Sequence, residues 1–244
     1  MGTAPCIMAG LWTDKMSAKT FFPAALGDLR KRYDAWLVTS PHVTPPMRGL
    51  TDEGTLPLDK AGLAARGWSD LPIDWIPADG GVLHGGYGED RAIYDTPIFN
   101  PPGDEPRTLH LGLDVFTAAG APVFAPLDGE VHSLQRNDND KDYGPTLILQ
   151  HDVEPGLTFY TLYGHLDPSL LETLQPGDEV KAGQEIAHLG DNSVNGGWAP
   201  HLHFQVMLEM LGKTGDFPGV CRKSEAAQWL QLCPDPRALI GLAS

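Results

Sequence analysis

From about residue 90 onward the apolar residues fall into a period of two, and this limits the fold more than any other feature. "PTLILQH", "LTFYTLYGHL" and "HLHFQVML" are short runs rich in β-branched and aromatic residues, which suit a pleated, half-buried surface. "APVFAPLDGEVHSLQ" reads as two strands around the tight-turn pair Asp128-Gly129. "LQPGDEVKAGQEIAHLGD" gives turn, strand, turn, strand. The 28 Gly and 22 Pro among 244 residues favour such punctuated strands over long helices. The expected fold class is an all-β core of short antiparallel strands, arranged as a β-sandwich or an open barrel.

The flanks read differently. Residues 1–90 form an N-terminal extension of loops and short helices. One helix is expected from Leu26 to Leu37, and another in "PLDKAGLAARGW" with Asp59 as its N-cap. Pro41, Pro45 and Pro46 make a loop between them, and the glycine-rich "ADGGVLHGGYGEDR" reads as a connection. Residues 91–244 form the β domain, with its motif core at 107–209 and a tail, "SEAAQWLQLCPDPRALI", that begins with one short helix capped by Ser224. No chemical motif precedes residue 80.

The net charge of -15, from 17 basic and 32 acidic residues, argues against nucleic acid and anionic membrane surfaces as partners, because no basic stripe could neutralise phosphates. No apolar run reaches the ~20 residues of a membrane helix. "MGTAPCIMAGLWTDK" has no basic residue ahead of its short apolar patch, so a cytoplasmic location is expected. Cys6, Cys221 and Cys233 lack C-x-x-C spacing and read as reduced, structural thiols.

Two short patterns carry chemistry: "HLGLD", His110 to Asp114, and "HLHF", with His201 and His203. On a strand His201, His203 and Gln205 share one face, and Leu202, Phe204 and Val206 the other. The two imidazoles lie ~6.6 Å apart along an ideal strand, which suits one ligand with a second histidine beside a metal. His110 and Asp114 would be ~13 Å apart on a straight strand, whereas two ligands of one ion hold their atoms within ~4 Å. A shared metal therefore requires a bend, and Gly112 can supply it. Spacing alone leaves two readings open: a shared ion, or unrelated polar residues on a β surface. A further histidine, His165, follows a β run and a glycine in "TLYGHL". "NDNDKDYG" fails as a calcium loop, lacking the glycine and glutamate such a loop needs, and reads as an acidic surface loop.

"HLGLD", "YGHL" and "HLHF", together with "GAPVFAPLDGEV", "YGPTLILQH" and "PGDEVKAGQEIAHLGD", resemble the zinc metalloendopeptidases of the lysostaphin/LytM type. The resemblance covers roughly residues 107–209 and implies a duplicated-hybrid-motif-like β fold holding one Zn2+. His110, Asp114 and His203 would be its ligands, and His165 and His201 the unligated catalytic pair. Gln205 departs from the family's frequent glutamate at that position and, not being a ligand, is expected to matter little. The flanks "GGYGEDRAIYDTPIF" and "NGGWAPHLHFQ" are similar to a version of the module fused to kinase-like and class III aminotransferase domains.

The implied reaction is hydrolysis of a peptide or small amide by a metal-activated water, with cell-wall-derived peptides among the candidate substrates. Tyr163 and Trp198 are candidate substrate-binding residues. The alternatives weighed are a non-catalytic metal-binding module, a biotinyl/lipoyl carrier attached through Lys181, and a phosphocarrier working through His201 or His165.

Overall fold

The computed structural model describes residues 23–40 and 43–243; Cys6 and Pro41 lie outside them. Eleven strands are present among the described residues: β1 (Leu83–Gly85), β2 (Arg107–His110), β3 (Leu113–Phe116), β4 (Pro122–Phe124), β5 (Gly129–Asn137), β6 (Gly144–Glu154), β7 (Leu157–Gly164), β8 (Glu179–Val180), β9 (Glu185–His188), β10 (His201–Met207) and β11 (Val220–Arg222). Seven of them form an antiparallel sheet in the order β1-β3-β10-β7-β6-β5-β8. The two ends of this sheet do not meet, so it is open. The β2–β11 and β4–β9 pairs form two ribbons beside it.

The all-β expectation holds, and its details change in three places. Asp128-Gly129 does not close a hairpin. β4 pairs with β9, while β5 pairs with β6 and β8. The Asp128 carboxylate accepts a hydrogen bond from the Ala182 N–H at 2.9 Å, and its carbonyl takes the His151 Nδ1–H at 2.9 Å. These long-range partners outweigh the local turn preference. Ser224 caps no helix; its hydroxyl donates to Glu105 instead. The tail holds two α-helices, α4 (Ala226–Leu232) and α5 (Pro236–Ile240). The second starts on Asp235, which accepts from the Arg237 N–H, and stops at Gly241 in the left-handed region.

The extension contains α1 (Leu26–Thr39) and α2 (Lys60–Ala65), with Asp59 accepting from the Gly62 N–H at 2.7 Å. A short α3 (Leu170–Thr173) follows β7. The "connection" before residue 90 supplies β1, the edge strand against β3. The main core gathers Leu113, Leu147, Leu162, Leu202, Phe204 and Val206 under the sheet. A second apolar cluster joins Leu58, Leu71, Ile93 and Tyr94 to Phe116, Trp198 and Val220, so the extension is packed onto the face that carries the histidines. Among the described residues no helix is long and apolar enough to cross a membrane.

Candidate active site

The β3–β10 register sets His203 directly opposite Asp114. His110, at the end of β2, approaches from the ribbon side, because the chain leaves one sheet and enters the other between Leu111 and Leu113. Three donor atoms converge: His110 Nε2 lies 3.0 Å from His203 Nδ1, His203 Nδ1 lies 3.0 Å from Asp114 Oδ1, and His110 Nε2 lies 3.3 Å from Asp114 Oδ1. All three residues are buried. Ligands bound tetrahedrally at ~2.0–2.1 Å would stand about 3.3 Å apart. The triangle is the size of one face of a zinc coordination sphere.

Hydrogen bonds to the other ring nitrogens fix which atoms carry lone pairs. His110 donates Nδ1–H to the Gly86 carbonyl at 3.0 Å, leaving Nε2 unprotonated. His203 donates Nε2–H to Gln205 Oε1 at 2.9 Å, leaving Nδ1 unprotonated. Burial, and then Arg91, lower the His110 pKa to about 4, so that ring is neutral. The Asp114 carboxylate is held well below the ordinary range despite its burial, and beside a neutral His110 the Arg91 guanidinium is the cation that does so. Two lone pairs and a carboxylate oxygen thus face one another with no proton between them, an arrangement that a divalent cation satisfies. The donor set fits zinc.

Gln205 does more than the sequence suggested. Its amide N–H groups donate to the Pro218 carbonyl and the Cys233 sulfur, which turns Oε1 toward His203 and selects the ligand tautomer. Gly112 is required for space rather than for a left-handed backbone conformation. A Cβ there would sit 2.6 Å from His203 Cε1 and 2.9 Å from the Phe204 carbonyl oxygen, and its φ is not positive.

Arg91 and Tyr143 escaped the sequence reading. Arg91 is fully buried and donates Nη1–H to Asp114 Oδ2 at 2.5 Å and Nε–H to Glu89 Oε2 at 2.8 Å. It occupies the second carboxylate oxygen and leaves Oδ1 for the triangle. Tyr143, from the supposed acidic surface loop, places its hydroxyl 3.5 Å from His203 Nε2 and its ring beside His165. No local pattern marks either residue, because their partners are remote in sequence.

His165 and His201 lie together with ring centroids 4.1 Å apart. His165 donates Nδ1–H to the Asn195 carbonyl at 2.8 Å and His201 donates Nδ1–H to the Ala199 carbonyl at 2.7 Å, so both Nε2 atoms carry lone pairs. Burial lowers both pKa values, that of His165 strongly. Both rings line a cleft enclosing about 720 Å³, part of it open to solvent, together with Trp198 and Tyr143. Lys141 Nζ sits 4.2 Å above the Trp198 ring. Tyr163 is absent from this lining: it is fully buried, packs on Phe204 and shares a hydrogen bond with the Thr161 hydroxyl. Tyr163 and His165, two residues apart, do not share a face, because His165 adopts φ +64° just past the end of β7, which breaks the strand alternation and swings the imidazole into the cleft.

Known proteins share this arrangement of sequence. Residues 108–214 match the model of peptidase family M23. That stretch is similar to peptidase family M23, and the rest of the chain lies outside the match. An uncharacterized metalloprotease of Haemophilus influenzae is 34% identical over 111 residues, covering 44% of this chain and 21% of that protein. The peptidoglycan DD-endopeptidase ShyB of Vibrio cholerae is 35% identical over 127 residues, covering 50% of this chain and 27% of that protein. The chain therefore spans only 21–27% of the length of these curated relatives. Among solved structures, the catalytic domain of the antimicrobial peptidase lysostaphin from Staphylococcus simulans is 28% identical, covering 50% of this chain and 80% of that one, with a TM-score of 0.35. The M23 match holds His110, Asp114, His165, His201 and His203, whereas Arg91, Glu89 and the wall around Ile93 lie outside it.

Proposed function

We propose that the protein is a zinc metalloendopeptidase that uses water to cleave a peptide or small amide bond. One observation carries this reading: three unprotonated donor atoms converge in a triangle with edges of 3.0–3.3 Å, beside two neutral imidazoles at a cleft. Among the described residues this group has three members, His110, Asp114 and His203. A structural zinc site closes with four protein ligands, so three leave a position for solvent or substrate. Bound zinc would supply Lewis acidity, polarising the amide carbonyl and lowering the pKa of water.

The chain's own groups supply the proton transfers. His201 is the better-placed base, because its Nε2 lies 3.8 Å from Asp114 Oδ2, a carboxylate that favours the imidazolium formed when it takes a proton from water. His165, with its lone pair on the same side, offers hydrogen-bonding capacity to the tetrahedral oxyanion once a proton is shared between the two rings. The proton then passes to the departing nitrogen, and the products are a carboxylate and an amine. The low pKa that burial gives both rings keeps them in the basic form at neutral pH.

ShyB's description as a peptidoglycan endopeptidase supports a cell-wall-derived peptide as one substrate class; a small amide is the other. Zinc-loaded protein should cleave at least one member of a panel of glycine-rich peptides, cross-linked muropeptides and small amides. Mass spectrometry would register the gain of one water, and chelation should abolish it. A chain that binds zinc stoichiometrically and cleaves nothing would instead be a non-catalytic metal-binding module.

A further inference from the structure

We propose that the cleft selects an amide flanked by a bulky apolar side chain, leucine- or phenylalanine-like, through a pocket to which Leu71, Ile93, Tyr94 and Phe99, all ahead of the M23 match, contribute one wall. The inference rests on the hydrolase reading and deepens it. The pocket starts at the catalytic pair: Phe116 stacks on the His201 ring at 4.8 Å with a 19° tilt. Trp198 stands edge-on 6.5 Å from His165. Tyr94 meets Trp198 at 6.1 Å and Phe99 at 4.8 Å. These rings make a continuous aromatic path from the imidazoles to the far wall, where Leu71 and Ile93 complete the apolar lining.

Three features make this a specificity pocket rather than an extension of the core. The apolar cluster that forms it is separate from the core beneath the sheet. Its walls are preformed, with Leu71, Ile93, Tyr94, Phe116 and Trp198 all buried and packed on one another; a preformed apolar wall costs little reorganisation when filled. Besides Asp114 and the histidines, the cleft's charged side chains are Arg107, Lys141, Asp142 and Asp216. Two of each sign give no strong preference for a charged side chain. A glycine beside the scissile bond would leave the apolar wall unused, whereas burying a leucine or phenylalanine there favours binding on the order of 10- to 100-fold.

The test uses matched peptides that differ only in the residue flanking the scissile bond: Gly, Ala, Leu, Phe, Asp or Lys. With zinc-loaded protein, kcat/KM for the leucine and phenylalanine peptides should exceed that for the glycine peptide at least about tenfold. Calorimetric binding to zinc-loaded His165→Ala should give the same order without turnover. Absence of cleavage would therefore count against the hydrolase reading while binding still decides the pocket. Ile93→Ala should compress the leucine-to-glycine ratio toward one; Phe99→Ala, at a half-buried position, is the second variant should the first fail to fold. A glycine peptide bound as tightly as the leucine peptide would overturn the proposal. So would undetectable binding of both apolar peptides, or a preference unchanged by both substitutions.

Discussion

Each of the four site histidines has one ring nitrogen committed to a backbone carbonyl or to Gln205; the free nitrogens of His110 and His203 meet at Asp114, and the rings of His165 and His201 line the cleft. That division predicts different losses. His203→Ala should empty the site, measured as zinc per chain after dialysis, because two remaining ligands hold the ion far more weakly. His201→Ala should keep its zinc and lose activity by roughly 10²- to 10⁴-fold, the usual contribution of a positioned acid–base group. Arg91 acts through Asp114. Arg91→Met should weaken zinc binding on the order of 10- to 100-fold and, by stranding the buried Asp114 carboxylate, cost about 3–5 kcal/mol in denaturant unfolding. Arg91→Lys, which keeps the charge, should recover part of both. The ligand candidates were legible through the lysostaphin/LytM resemblance of their motifs, since spacing alone left a shared ion and unrelated polar residues both open. Arg91 was not, since its meaning depends on contacts with residues 23 positions away.

At the scale of elements, the strands were legible and their pairing was not. Alternation in "PTLILQH" and "HLHFQVML" is a property of the segment itself, and β6 and β10 lie where it places them. Asp128-Gly129 misled because turn preference is weak beside the long-range bonds from Ala182 and His151. Gly112 was singled out as a bend, but what the structure shows at that position is close packing. Its missing side chain is the space His203 occupies. Gly112→Ala should therefore lower zinc affinity by displacing the His203 ring, while strand content in circular dichroism stays close to that of the unmodified chain. An unchanged zinc affinity would show that the sheet yields more easily than this packing implies.

Across the whole molecule, the extension and the region that matches family M23 share an apolar cluster and a sheet edge, so the histidine-bearing face is completed by residues well before the family match begins. Stability should also carry a pH signature from the sheet. His151 donates Nδ1–H to the Asp128 carbonyl and accepts from the Thr161 hydroxyl, and burial lowers its pKa to about 4. The unfolded chain takes up this proton near pH ~6.5 while the native chain does not. Stability from this group is thus complete above that pH and declines as pH falls toward about 4. His151→Gln should flatten the slope of unfolding free energy against pH in that window relative to the unmodified chain; parallel slopes would remove His151 as the cause.

The triangle of His110, Asp114 and His203 is most directly tested by diffraction from zinc-loaded crystals at the zinc absorption edge. The account predicts one anomalous peak bonded to His110 Nε2, Asp114 Oδ1 and His203 Nδ1 at about 2.0–2.2 Å, with solvent as the remaining ligand. A peak elsewhere, or a fourth protein side chain closing the coordination sphere, would contradict it.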